Sequence, residues 1–83
     1  MPDTYTTEVT YQHWSGVKTV TESFPTLRDA RESAVADLLY HLERMEAIYS
    51  INVLLDQDYY QYLIWLDDGF KVLFTQWGEF TPR

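Results

Sequence analysis

The chain has 83 residues, no cysteine, 46% hydrophobic residues and a net charge of −7 from thirteen acidic and six basic residues. This length fits one domain, residues 1–83, and the hydrophobic content excludes a disordered chain. The charge argues against direct binding to nucleic acid or an anionic membrane, because both favour patches of lysine and arginine. The lack of cysteine excludes disulfides and thiolate metal sites. A polar N-terminus and the lack of an apolar run of ~20 residues complete the prediction of a cytoplasmic protein.

The first two elements are predicted to form a β-hairpin. Residues 5–14 alternate and are rich in Thr, Tyr and Val, which is typical of a strand. Ser15-Gly16 is a two-residue turn signal, and residues 17–24 form the returning strand. The predicted cross-strand pairs are Trp14 with Val17, Tyr11 with Val20 and Thr10 with Thr21.

An amphipathic helix is predicted next, from Leu27 to Ile48. Thr26 is a candidate N-cap, with Asp29 three residues later as an acidic version of the capping box. Small residues in the first half of the helix favour a close approach to the sheet. The apolar stripe at helical spacing consists of Leu27, Ala30, Ala34, Leu38, Leu42, Met45 and Tyr49.

The rest of the sequence predicts a three-stranded meander. Its strands are Ile51–Asp56, Tyr59–Leu66 and Phe70–Trp77, its turns are Gln57-Asp58 and Asp67-Asp68-Gly69, and Glu79–Arg83 is a short tail. The element order is therefore ββαβββ. The predicted fold class is α+β, an antiparallel sheet with one amphipathic helix packed on one face.

The two turns of the meander fix which side chains share a face, because strand side chains alternate with a period of two. The two-residue turn at Gln57-Asp58 and the three-residue turn at Asp67-Asp68-Gly69 both place the same side chains on the same face. The face under the helix is predicted to hold Ile51, Val53, Leu55, Tyr60, Tyr62, Ile64, Leu66, Phe70, Val72 and Phe74. The other face is predicted to hold Asn52, Leu54, Tyr59, Gln61, Leu63, Trp65, Lys71, Leu73, Thr75 and Trp77.

This second face is too apolar for a solvated surface, and one helix cannot cover both sides of a sheet. Exposed apolar patches mark protein interfaces, with Trp and Tyr as frequent anchors. The predicted partner-binding residues are Tyr59, Leu63, Trp65, Lys71, Leu73 and Trp77. Three explanations remain open: a protein partner binds the face, two copies of the chain associate through it, or the tail or the first hairpin covers it within the monomer.

Candidate chemistry is sparse. His41 follows Asp37 by four residues and could meet it on one side of the helix, but no second histidine or thiolate accompanies the pair. The acids of the two predicted turns lie at opposite ends of a strand, and Asp is common in turns for local hydrogen-bonding reasons. No serine has a neighbouring base, and three glycines do not form a phosphate-binding loop. We therefore expect no catalytic residue, metal or cofactor.

The helix carries a set of acids on its polar side. This acidic surface could imitate a row of phosphates and occupy a nucleic-acid-binding groove, or it could simply solvate the helix. Arginines interrupt the row. The acidic surface consists of Asp29, Glu32, Asp37, Glu43 and Glu46.

In size, charge, lack of cysteine and ββαβββ order, the whole chain resembles the small anti-CRISPR proteins that phages encode. The segment that joins strand to helix, Phe24 to Arg31, is common to many small domains and adds no diagnostic motif. The resemblance implies a stoichiometric inhibitor that blocks a DNA-binding or assembly surface of a bacterial defence complex in the host cytoplasm. It also implies that acidic side chains bind basic grooves of the target and that aromatic residues anchor the contact.

Overall fold

The computed structural model describes residues 3–81, so the last two residues of the predicted tail and the first two residues of the chain lie outside the described part. Five strands form one antiparallel sheet in the order β2-β1-β3-β4-β5, and the helix packs on one of its faces. The α+β prediction and the ββαβββ order are confirmed. The elements are β1 Tyr5–His13, β2 Gly16–Phe24, α1 Leu27–Glu43, β3 Ile48–Leu55, β4 Asp58–Asp67 and β5 Val72–Glu79.

Helix α1 begins where the sequence predicted and ends earlier. The Thr26 side chain accepts a hydrogen bond from the Asp29 backbone N–H at 3.1 Å, which confirms the N-cap. Met45 then adopts a left-handed φ of 60°, and backbone bonds from Met45 to Leu42 and from Glu46 to His41 close the helix end. The predicted continuation to Ile48 is therefore wrong. Met45 lies exposed in a loop, and Tyr49 lies in β3, so neither extends the apolar stripe.

The first hairpin has its turn one residue earlier than predicted. His13 pairs with Gly16 across a Trp14-Ser15 turn, and Gly16 has a φ of +127°, which a residue with a Cβ rarely adopts. The predicted register is therefore wrong. The observed pairs are Gln12 with Val17, Tyr11 with Lys18, Thr10 with Thr19 and Val9 with Val20.

The turn between β3 and β4 lies at Asp56-Gln57, where both residues have positive φ, as a type I′ turn requires. The ladder then shifts: Leu54 pairs with Tyr59 but Val53 pairs with Gln61, so Tyr60 has no partner and forms a β-bulge. One extra residue reverses the alternation of every side chain beyond it. The faces predicted for β4 are therefore exchanged from Gln61 onwards, while Tyr59 keeps its predicted place on the face away from the helix.

The loop between β4 and β5 spans residues 68–71, and Leu66 pairs with Phe74 rather than with Phe70. The Asp68 carboxylate accepts the backbone N–H groups of Phe70 at 2.9 Å and Lys71 at 2.8 Å. These bonds stabilise a wider loop than the predicted three-residue turn. Accordingly, the other observed pairs are Leu63 with Trp77, Trp65 with Thr75, Ile64 with Gln76 and Tyr62 with Gly78.

The core lies between α1 and the middle of the sheet. Ala30 and Ala34 are fully buried, which confirms the close approach of the first half of the helix. Tyr11, Val35, Ile48, Trp65, Val72 and Trp77 pack around the buried cluster. The buried hydrophobic residues are Val9, Ala30, Ala34, Leu38, Ile51, Val53 and Leu63. Across residues 3–81, no helix is long and apolar enough to span a membrane.

Candidate protein-binding surface

Three of the predicted partner-binding residues belong to the core. Leu63 is 5% exposed, and Trp65 and Trp77 pack against the buried cluster under α1. The prediction that these three side chains lie on the open face is wrong. The bulge at Tyr60 turns the following side chains of β4 to the opposite face, and Trp77 shares the face of its β4 partner Leu63. Leu63 is buried and Trp65 and Trp77 are partly buried within the monomer, and all three lie on the face where α1 packs.

The remaining predicted partner-binding residues are scattered. Tyr59 is exposed and lies beside Leu54 on the face away from the helix. Lys71 is exposed in the β4–β5 loop, and Leu73 is an exposed residue where the β4–β5 ladder shifts register. These six residues therefore do not form one surface.

Four of the apolar residues on the open face, Tyr62, Ile64, Leu66 and Phe74, come from the set predicted under the helix, whereas Tyr59 keeps its predicted face and Phe80 belongs to the predicted tail. Leu66 and Phe74 are cross-strand partners and are 60% and 49% exposed, while Ile64 in the same strand is 42% exposed. Contiguous exposure of this kind is unusual for a solvated sheet face. We define the open-face patch as Tyr59, Tyr62, Ile64, Leu66, Phe74 and Phe80.

One end of the open-face patch is an ordered aromatic cluster. The Phe80 ring lies 5.3 Å from Tyr59 and 5.1 Å from Tyr62 between ring centroids, and its backbone N–H donates to the Tyr60 carbonyl at 3.2 Å. The Tyr62 ring lies across its partner Gly78, where a Cβ would overlap the ring. A glycine opposite an aromatic residue is the one sequence feature that could have identified this contact.

A carboxylate borders the aromatic cluster. Glu8 accepts hydrogen bonds from the Tyr59 hydroxyl at 3.0 Å and from the Asn52 side-chain amide at 3.3 Å. The hydrogen bond to this carboxylate raises the pKa of Tyr59 above its usual value, because it favours the protonated phenol. Beyond Glu8 the face carries hydroxyl pairs, Thr10 with Thr19 at 3.1 Å among them. The open face is therefore apolar on β4 and β5 and polar on β1 and β2.

The first hairpin leaves the open-face patch uncovered. β1 and β2 extend the sheet sideways in the order β2-β1-β3-β4-β5, so the hairpin does not fold across the sheet as one explanation required. Phe80, from the predicted tail, covers only the end of the patch near Tyr59 and Tyr62. Ile64, Leu66 and Phe74 remain open to solvent.

The acids of the predicted acidic surface do not form a continuous row. Glu32 pairs with Arg28 at 3.2 Å, and Glu46 lies past the end of α1. Exposed Leu39 and Tyr40 interrupt the outer surface of the helix. Asp29 lies in the first turn and Glu43 is the last helical residue. Asp37 is partly buried, and this burial raises its pKa above the usual value.

His41 pairs with Glu46 rather than with Asp37. Its ring is buried, lies 4.0 Å from the Tyr11 ring between centroids, and its Nδ1 is 3.0 Å from Glu46 Oε1. Arg44 donates to the same carboxylate oxygen at 3.2 Å, and both contacts lower the pKa of Glu46, with the hydrogen bond to His41 dominant. This cluster holds the loop after α1 in place.

Asp67 and Asp68 accept backbone N–H groups within their own loop, as the sequence predicted for turn acids, whereas Asp56 bonds to a residue 52 positions away. Asp56 accepts the Thr4 N–H at 3.0 Å, and Asp67 accepts the Gly69 N–H at 2.9 Å. The backbone N–H groups around Asp68 lower the pKa of its carboxyl group. Among residues 3–81, no group of three His, Cys, Asp or Glu side chains is arranged to hold a metal ion.

A scan against protein-family models, a search of curated proteins and a search of solved structures each found no match for the chain. The class that the fold defines is a small α+β domain with one covered and one uncovered sheet face.

Proposed function

We propose that the chain is a non-catalytic protein-binding domain and that the open-face patch is its binding surface. The observation that carries this proposal is the exposure of Ile64, Leu66 and Phe74 on a sheet face that no helix or strand of residues 3–81 covers. A partner that covers these side chains removes apolar area from water at roughly 25 cal/mol per Å². The aromatic cluster at the other end supplies rigid anchors of the kind that interfaces favour.

A narrower form of the proposal is an inhibitor, of the kind phages encode, that blocks a nucleic-acid-binding or assembly surface of a bacterial defence complex. The net charge of −7 supports it, because a basic nucleic-acid-binding groove attracts an acidic protein. The patch would then supply affinity, and the acids would increase the association rate. Added salt would slow association and leave the apolar part of the affinity in place.

The test compares capture of a bacterial defence complex by the wild-type chain and by two folded variants. Leu66→Ser with Phe74→Ser removes the exposed centre of the patch. Leu39→Ser is the matched control, because Leu39 is 49% exposed on the outer surface of the helix. We expect the wild type and the control to retain the complex and to inhibit its DNA binding, while the patch variant does neither.

Equal capture and inhibition by all three proteins would refute the patch as the binding surface. Self-association through the patch is the alternative function. In that case only the chain itself would be recovered, and the patch variant would have half the mass of the wild type in light scattering. Retention of the complex without any loss of its DNA binding would leave a binding domain and refute the inhibitor.

A further inference from the structure

β2 is an uncovered edge strand. Its nine residues, Gly16–Phe24, pair with β1 in one unbroken register and with no other strand in the described part of the chain, residues 3–81. Natural edge strands are commonly protected by charged side chains, proline, a bulge or a covering loop, and the charged side chains of β2 are Lys18 and Glu22, which have opposite signs. β2 contains no proline, and its register with β1 shows no bulge. Val17 and Val20 are 59% and 49% exposed.

The backbone groups that β2 leaves free can be assigned. Gln12 donates its N–H to the Ala47 carbonyl at 2.8 Å, so its backbone faces β3 rather than β2. Its partner Val17 therefore turns its own N–H and C=O away from β1, since hydrogen-bonded and non-hydrogen-bonded pairs alternate in an antiparallel ladder. The same alternation directs the backbone groups of Thr19, Thr21 and Ser23 outward.

The sequence of β2 is complementary to itself about Val20. When two copies pair antiparallel with Val20 opposite Val20, Thr19 lies opposite Thr21 and Lys18 lies opposite Glu22. The outward-facing positions then form the hydrogen-bonded pairs. Lys18, Val20 and Glu22 occupy the non-hydrogen-bonded positions, where side chains approach most closely.

The charges of β2, Lys18 and Glu22, have no ion-pair partner among residues 3–81. Glu22 also lies close enough to Asp37 for its charge to add to the raised pKa of that carboxyl group. Lys18 of a second copy would lie opposite Glu22 and near Asp37. The two-fold symmetry would produce this contact twice.

Other registers lose this match. Pairing about Thr19 places Lys18 opposite Val20, and pairing about Thr21 places Lys18 opposite Phe24. Both registers leave Glu22 without a cation. Only the register about Val20 joins opposite charges, the two valines and two hydroxyl pairs together.

We propose that the β2 edge is an interface between two copies of this chain. The two sheets join into one antiparallel sheet of ten strands across a two-fold axis at Val20. Both helices then lie on one face and both open-face patches on the other. This interface does not depend on the proposed function, because the open-face patch lies on β4 and β5, at the opposite edge of the sheet from β2.

The first test is charge reversal followed by mixing. Lys18→Glu and Glu22→Lys each place like charges opposite each other, so each variant alone should remain a monomer in light scattering at concentrations where the wild type is about twice its 9.9 kDa monomer mass. Mixing the two variants restores both ion pairs, and we expect a one-to-one dimer. A wild type that stays monomeric up to millimolar concentration, or single variants that still dimerise, would overturn the proposal.

The second test uses the absence of cysteine from the chain. Val20→Cys places two thiols opposite each other, at a Cα separation near 4.5 Å in a non-hydrogen-bonded pair, within the range for a disulfide. Glu22→Cys is the control, because its two copies would lie four residues apart along the strand. We expect oxidation to cross-link Val20→Cys and not Glu22→Cys. Equal cross-linking of both variants, or of neither, would contradict the register about Val20.

Discussion

The contact between Arg31 and Gln61 tests the face assignment of β4. Gln61 is 4% exposed, and its side-chain oxygen accepts two hydrogen bonds from Arg31, at 3.0 Å from Nε and 2.7 Å from Nη2. The Arg31 guanidinium also lies 5.4 Å from the centroid of the Trp77 ring. Arg31 therefore joins the helix to β4 and covers a core tryptophan.

Arg31→Leu should lower the free energy of unfolding substantially. A buried oxygen left without a donor costs about 1–3 kcal/mol, and the lost cation–π contact adds roughly 0.5–2 kcal/mol. In a domain of this size, each kcal/mol lowers the melting temperature by about 4–8 °C. Gln61→Leu alone should cost less, because Arg31 is only partly buried and can bond to water. The double variant should recover part of the loss, with a coupling of about 1–2 kcal/mol.

Urea unfolding followed by tryptophan fluorescence measures these differences. Arg28→Leu is the control, because it removes an exposed ion pair with Glu32 and should cost less than ~1 kcal/mol. If Gln61 lay on the open face, Arg31 and Gln61 would not interact. Additive single variants, or an Arg31→Leu variant no less stable than the control, would therefore refute the face assignment.

Three further predictions concern the sheet and the helix that packs on it. Trp77→Ala should lower the free energy of unfolding by on the order of 3 kcal/mol, as measured in urea, and a variant of unchanged stability would contradict its place in the core. Gly78→Ala should cost about 1–3 kcal/mol, because the new Cβ meets the Tyr62 ring; combining it with Tyr62→Ala should restore part of that loss. Burial raises the pKa of Asp37, so stability due to its protonated form is lost as the pH rises through the folded pKa. Asp37→Asn should raise the urea midpoint at neutral pH, and this gain should diminish as the pH falls through the folded pKa and disappear below the ordinary Asp pKa of the unfolded chain.

The element order could be predicted from the sequence because helix and strand periods are local. Thr26 and Asp29 mark the start of α1, and the spacing of Ala30, Ala34 and Leu38 identifies its buried side. The end of the helix could not be placed, because Met45 takes the left-handed position that glycine commonly occupies. The apolar residues after it continued the helical pattern by coincidence.

The faces of β4 could not be predicted because the strand is apolar on both sides. Tyr62, Ile64 and Leu66 alternate with Leu63 and Trp65, so hydrophobicity is compatible with either assignment. The face assignment then depends on counting residues from the turn, and one unpaired residue exchanges the two faces for every residue beyond it. The count places Gln61 on the open face, whereas its side chain is buried and is satisfied by Arg31, a residue 30 positions away in sequence.

The two proposed surfaces lie at opposite edges of the sheet, β2 at one edge and β4 and β5 at the other. Their effects can therefore be separated by substitution. Lys18→Glu should abolish the dimer and leave the affinity of one open-face patch for a partner in solution unchanged. A dimer carries two patches on one face, so its binding to a surface densely coated with partner should exceed that of a monomer through the effective concentration of the second patch. Lys18→Glu should therefore weaken capture on a dense surface and not on a sparse one. An equal loss of capture on the densely and the sparsely coated surface would mean that β2 itself contacts the partner.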